Sequence, residues 1–307
     1  MHHLRMGTRS FTITPLGEFS LAESAMFGFG QRMRPAGVGT REPAFDGVMR
    51  LAFCLDGGYV DQVGVELRQD DEGVHAVVHG EGALDAIQGQ VARVLSLDHD
   101  ARSYAEVGER DPVIGRLQRA ALGLRPPLFY SPYEAAVWAM LSARRPGWQM
   151  SRIRAELSEA HGAVFELGGE RLAALPTPAQ LLAVEGFPGI DADRLDRMQG
   201  AARAARDGLL DVDRLQALGP EEALVDVQRI TGIGPFYAGL IVIRATGFTD
   251  VLPTNEPKAL ELVRELYGLN GVPSPKEFEA IAEAWRPWRT WATVLLRAAG
   301  PRVLARS

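Results

Sequence analysis

The sequence predicts an α+β protein in two unequal parts, and two observations predict it. Strand signals separated by turns are confined to the first hundred residues, and from about Asp98 onward helical signals follow one another while strand signals vanish. For 307 residues this gives a small N-terminal antiparallel α/β domain over 1–97 and an all-helical domain over 98–307, with the junction near residues 96–112.

Ser10–Thr14 reads as a short strand, and Leu21–Phe29 as a helix preceded by Ser20. Strands follow over Val48–Leu55, Tyr59–Leu67 and Gly73–His79, separated by the turns Asp56-Gly57-Gly58 and Asp70-Asp71-Glu72-Gly73. Glu81–Leu95 carries Leu84, Ile87, Val91, Val94 and Leu95 on one helical face. In the second part the clearest start is Ser131-Pro132-Tyr133-Glu134, a Ser cap, a first-turn Pro and a Glu placed for a capping box. That helix runs to the stop at Arg144-Arg145-Pro146-Gly147. Further helices are expected over Gln149–His161, Thr177–Val184, Asp191–Asp207, Pro220–Arg229, Pro235–Thr246, Pro257–Tyr267, Lys276–Ala284 and Trp288–Ala299.

Composition removes several classes. No stretch approaches the ~18 to 20 apolar residues that cross a bilayer, and Met1–Arg5 lacks the apolar run of a signal peptide, so a cytoplasmic protein without a membrane partner is expected. Cys54 is the only cysteine, which excludes an internal disulfide, a four-cysteine zinc site and a thiolate-held iron–sulfur cluster. His2, His3, His75, His79, His99 and His161 have no metal-ligand spacing. The formal charge of −6, from 33 basic and 39 acidic residues, argues against a broad basic face. Lys258 and Lys276 are the only lysines. Arginine's planar fork suits phosphate, although genome base composition also produces an arginine bias.

The informative stretch is Leu224–Thr246, LVDVQRITGIGPFYAGLIVIRAT. One helix enters the tight turn Thr231-Gly232-Ile233-Gly234 and a second leaves it after Pro235. Two glycines allow unusual backbone angles and close approach, and the amides at the positive end of the second helix face an anion. Such an element holds a phosphate without reading a base. An ordinary structural corner has the same outline.

Together with Thr249-Asp250-Val251-Leu252-Pro253-Thr254-Asn255-Glu256 and Trp285-Arg286-Pro287-Trp288-Arg289, this hairpin resembles the helix–hairpin–helix DNA glycosylase superfamily, in particular the bacterial 3-methyladenine DNA glycosylase II (AlkA) type. The resemblance runs from about Val91 to Ala299, and the N-terminal part is similar in order and size to that family's TBP-like half-domain.

The resemblance implies base-excision repair: a damaged, in the first instance alkylated, base is flipped from the duplex and its N-glycosidic bond is hydrolysed. A carboxylate beside the sugar stabilises the positive charge as the base departs. The family's aspartate falls on Asn255 or Glu256, so its role passes to Glu256 with a conservative change, or to Asn255 with loss of charge. Glu256 is equally placed to cap the helix that follows. Asp250 is the other nearby carboxylate and matches a position outside the pocket.

Where bifunctional relatives carry the lyase lysine this chain has Phe236, which implies a monofunctional enzyme. The aromatic positions around the flipped base correspond to Leu240, Pro257 and Arg297, with Phe236 beside them, which reduces the stacking surface for a cationic base. Arg144, with Arg145, stands where the family inserts an apolar wedge, and Thr231, Gly232, Ile233 and Gly234 form the phosphate grip. The family's hairpin holds a monovalent cation, K+ or Na+, through carbonyls matching Gln228, Ile230 and Ile233; no other cofactor is implied. Arg286 and Arg289 are candidates for phosphate or helix-end contacts, whereas Trp285 and Trp288 are expected in the core. The expected partner is double-stranded DNA with a damaged base, met by a monomer acting at the bacterial nucleoid. The alternative function is lesion recognition on the same fold without excision.

Overall fold

The computed structural model describes residues 9–27 and 45–305. Its N-terminal part is an antiparallel sheet in the order β1-β4-β3-β2, from β1 (Arg9–Ile13), β2 (Met49–Cys54), β3 (Gln62–Gln69) and β4 (Val74–Gly80). Asp70 closes the β3–β4 turn by accepting the amide of Glu72 at 2.9 Å. Helices α1 (Leu21–Phe27) and α2 (Leu84–Val94) place Leu21, Ile87 and Val91 in one apolar core with Phe53, Val65 and Val74. The predicted α1 end at Gly28-Phe29, like His2 and His3, lies outside the described residues. His75 and His79 lie on one face of β4, paired with Asp70 and Glu66 at 2.7 and 2.9 Å.

Eleven further helices follow: α3 (Ala105–Arg110), α4 (Pro112–Ala120), α5 (Pro132–Ser142), α6 (Gly147–His161), α7 (Pro178–Leu182), α8 (Ala192–Arg206), α9 (Val212–Val227), α10 (Pro235–Ala245), α11 (Pro257–Leu266), α12 (Pro275–Ala282) and α13 (Arg289–Leu304). Pro112, Pro132, Pro178, Pro235, Pro257 and Pro275 each occupy a first turn, where their missing amide costs nothing. The two short helices α3 and α4 have no counterpart in the sequence reading. Helix α9 begins at Val212, ahead of the predicted Pro220, because Gly219 at φ +76° joins two helical stretches across a kink.

One expectation fails outright: strands do not end at Asp98. β5 (Val164–Leu167) and β6 (Glu170–Ala173) form a hairpin turned by Gly168-Gly169, both at positive φ. It packs on the sheet. Gly64 in β3 makes room for Phe165, whose Cγ lies 2.7 Å from where a Cβ on that glycine would stand. The buried Arg50 of β2 donates to the carbonyls of Leu167 and Gly168 at 2.9 and 3.2 Å. Sheet burial on this side is why β2 is apolar almost throughout.

The predicted capping box on α5 also forms only in half. Ser131 accepts the amide of Glu134 at 3.1 Å, but the Glu134 carboxylate turns inward to Arg154 at 2.8 Å and the amide of Cys54 at 3.2 Å.

Helices α5, α8, α9 and α10 share one core, including Met140, Leu141, Met198, Leu215, Ile241 and Val242. A second gathers Leu117, Val263, Phe278, Trp285, Trp288 and Trp291 from α4, α11, α12, α13 and the turn before α13. Trp285 and Trp288 are therefore core residues, as expected. Two buried arginines tie the sheet to the helices. Arg125 donates to the carbonyls of Leu16, Gly17, Glu18, Ser96 and His99, and burial holds its pKa down to about 10. Arg93 of α2 pairs with Asp56 at 2.5 Å and donates to the carbonyls of Tyr130, just before α5, and Ala245, at the end of α10.

Burial raises the pKa of Asp56, with Arg93 as the largest opposing influence. Arg93→Ala is expected to destabilise the fold by about 3–5 kcal/mol, because it strands a buried carboxylate. In that variant the native state binds a proton at Asp56 more readily than the unfolded chain does. Stability relative to wild type should therefore be recovered as pH falls from neutral. Urea unfolding at a series of pH values checks this; a deficit that does not shrink on acidification contradicts it.

Candidate functional site

The hairpin is built by local chemistry. After α9, the amides of Ile230 and Ile233 donate to the carbonyls of Val227 and Ile230 at 3.2 and 3.0 Å, which tightens the chain into a turn. Gly232 sits at φ +92°, where a side chain is strained, and a Cβ there would stand 3.2 Å from Met140 Sδ. Gly234 is extended, at φ −90°, and caps α10 with no side chain of its own. Thr231, Gly232, Gly234 and Phe236 are exposed, while Ile233 is buried as the plug that anchors the turn. Only the main chain of Ile233 is left for an outside ligand. The amides of Gly234, Phe236 and Tyr237 have no acceptor among the described residues, and they crown the positive end of α10.

Arginines surround this turn. Helix α5 ends at Ser142, and Arg194 of α8 closes it by donating to the carbonyls of Met140, Leu141 and Ala143. Arg144 then takes a left-handed conformation at φ +56°, exposed together with Arg145. Tyr237, which sequence reasoning missed, is half-buried close to this loop. Burial raises its pKa, and Arg194 and Arg144 pull the other way. Arg197 of α8 was also missed. Its Cδ lies 3.8 Å from the position of a Cβ on Gly232, and its head is exposed. No sequence signal marks Arg197, because helix packing alone brings it to the turn. Arg144, Arg145 and Arg197 have no carboxylate partner among the described residues.

The acidic loop after α10 is fixed by α13. Asp250 accepts from Arg289 Nε at 2.7 Å and Arg286 Nη1 at 2.8 Å, and Thr290 bonds the main chain of Val251 in both directions. Arg286 and Arg289, candidates for phosphate or helix-end contacts, are instead paired with Asp250 in this loop. Asp250 is a structural anchor. Glu256 serves two partners: Oε2 accepts the amide of Ala259 at 2.7 Å as the cap of α11, and Oε1 pairs with Arg297 Nη1 at 2.5 Å. Asn255 and Pro257 are exposed beside it, and Leu240 is half-buried against the core.

Arg297 in turn faces Arg244, whose pKa is pushed down to about 10 by burial and then by the Arg297 charge. Arg297 therefore does not stand as a lone cation in a base pocket; it is matched by Glu256. The pairing leaves Glu256 little net field to offer a further cation while Arg297 stays on it.

The carbonyls of Gln228 and Ile233 accept no hydrogen bond among the described residues, and that of Ile230 accepts one, so this main-chain set retains lone pairs for a weakly charged cation. Among the described residues no group of three His, Cys, Asp or Glu side chains forms a metal site. A cleft of about 510 Å3 between Gly17, Tyr104, Gln118 and Leu122 is lined by none of the candidate site residues.

No protein-family model and no curated protein sequence matches the chain. Solved structures do. A 3-methyladenine DNA glycosylase from Archaeoglobus fulgidus is 21% identical with a TM-score of 0.75, over 95% of this chain and 98% of that one. An 8-oxoguanine glycosylase/lyase from Clostridium acetobutylicum, in complex with double-stranded DNA containing cytosine opposite 8-oxoG, is 16% identical with a TM-score of 0.64, over 94% and 93%. A DNA-3-methyladenine glycosidase from Bacillus halodurans is 19% identical with a TM-score of 0.54, over 67% and 92%. The fold is that of the helix–hairpin–helix DNA glycosylases.

The two glycines are expected to respond differently to substitution. Gly232→Ala should cost about 1 kcal/mol or more, because its φ is positive. Gly234→Ser should leave the melting temperature nearly unchanged, since no atom lies within 4 Å of its Cβ position and Ser is a favoured N-cap. Thermal unfolding of both variants checks the pair; a large loss for Gly234→Ser contradicts the open geometry.

Proposed function

We propose that this protein is a monofunctional DNA glycosylase, which flips a damaged, alkylated base from a duplex and hydrolyses its N-glycosidic bond. The observation that carries the reading is the exposed hairpin. Its unfilled amides at the start of α10 are flanked by Arg144, Arg145 and Arg197 without carboxylate partners, on a chain whose net charge is −6. That is an anion site, and its spacing along a turn and a helix end suits the phosphates of one strand.

In this reading Thr231–Gly234 grips phosphate through the main chain. Arg144 fills the space left by the extruded nucleotide, and Phe236, Leu240, Pro257 and Arg297 border the base. Glu256 supplies the carboxylate beside the sugar. Binding of DNA draws Arg297 toward phosphate or the departing base, which releases the Glu256 charge to oppose the positive sugar and orient water. Phe236 offers no amine, so no Schiff base forms through this position. The carbonyls of Gln228, Ile230 and Ile233 are suited to a potassium or sodium ion bridging hairpin and phosphate. A monomer acting at the nucleoid fits the same reading.

A second reading is lesion recognition without excision. It is favoured by the engagement of both Glu256 oxygens, one by Arg297 and one by the α11 amide.

Incubation with duplexes carrying alkylated, deaminated and oxidised bases separates the two. Wild type is expected to leave abasic sites on an alkylated duplex. Glu256→Gln, which preserves the α11 cap, is expected to lose release and keep DNA affinity. Tight binding without release from any duplex selects the second reading. The salt dependence of binding should be shallow, with a slope of log K against log salt of roughly −2 for about two arginine–phosphate contacts. Each of Arg145→Ala and Arg197→Ala should reduce it by about one; slopes that do not respond remove these residues from the contact.

A further inference from the structure

One large side chain near Arg144 and Arg145 has no part in the mechanism above. Trp148 is 75% exposed, whereas Trp285, Trp288 and Trp291 are buried and Trp138 is half-buried. It stands in the first turn of α6, directly after Arg144-Arg145-Pro146-Gly147. It has no ring contact and no hydrogen bond among the described residues.

Leaving an indole in water forgoes the burial that normally stabilises it. The local backbone holds it there: Arg144 is left-handed, Pro146 fixes its own φ, and α6 begins without a side-chain cap. Phe236, 65% exposed, stands at the start of α10 beyond the hairpin glycines, so the hairpin and the arginine loop are each followed along the chain by an exposed ring. A ligand that matches this surface offers anionic charge and flat π-faces together, as nucleic acid does.

We infer that Trp148, four residues beyond Arg144, stacks on the unpaired base that faces the extruded nucleotide. The inference rests on the DNA reading above. Within a duplex, that base is the one whose face an indole reaches without first breaking a pair. Trp148 is then a specificity residue, which favours a duplex with one base already displaced over an intact one.

The test uses the full chain and two fluorescein-labelled duplexes. One carries a tetrahydrofuran abasic analogue opposite thymine, and the other is fully paired. Anisotropy of the label reports binding without involving Trp148. Trp148→Ala is expected to weaken the abasic duplex on the order of tenfold, as loss of one base–aromatic stack does, and to change the paired duplex little. Trp148→Phe should restore most of the affinity. The difference in tryptophan emission between wild type and Trp148→Phe should become inaccessible to acrylamide in the abasic complex.

Unchanged affinity in Trp148→Ala, an equal loss on both duplexes, or unchanged acrylamide access in the complex each overturns the inference while the DNA reading stands. Failure of wild type to bind either duplex overturns both.

Discussion

The placement of the site depends on where Arg93 holds two helices. Its guanidinium reaches the Tyr130 carbonyl just before α5 and the Ala245 carbonyl that ends α10, while Asp56 balances its charge. The amide of Phe129 donates to the Arg244 carbonyl at 2.7 Å and reinforces the same joint. Helices α5 and α10 pack together and each has 11 residues, a length of about 16 Å at 1.5 Å per residue. Tied at one end and running in opposite directions, they finish level at the other. That level end is where Arg144 leaves α5 and Gly234 opens α10. The arginine loop and the hairpin face the same way because an ion pair at the far end of both helices fixes their register.

The parts of the site that were legible in the sequence are those whose chemistry is local. Gly232, Gly234 and Pro235 encode a turn and a helix start within a few residues, and that turn is present. Side-chain destinations were harder to read. Glu134 had the spacing of a capping box, yet burial beside Arg154 and Cys54 offered its carboxylate better partners. Glu256 presented cap and catalytic acid as alternatives; capping uses one oxygen, which leaves the other for Arg297. The β5–β6 hairpin carried a signal that went unread, Gly168-Gly169 between two short β-prone runs. Arg197 carried none, since its neighbour Gly232 belongs to a different helix pair.

The charge distribution is the reverse of a basic DNA-binding surface. Over much of the molecule arginines are spent internally: on Asp250, Asp226, Asp56, Glu134 and Glu256, or on carbonyls. An ion pair neutralises its own field within a few ångströms, so an acidic chain can still present positive potential wherever arginines lack partners.

Arg125 has a consequence for how the chain divides. It belongs to the helical half by sequence, yet Leu16, Gly17 and Glu18, between β1 and α1, supply three of its acceptors. With those residues removed, a buried cation would lose much of its solvation at the centre of the joint. The boundary drawn by strand and helix signals is therefore crossed by buried hydrogen bonds. Residues 16–18 thus contribute acceptors to the interior of the helices a hundred positions away, and the two halves share one buried joint.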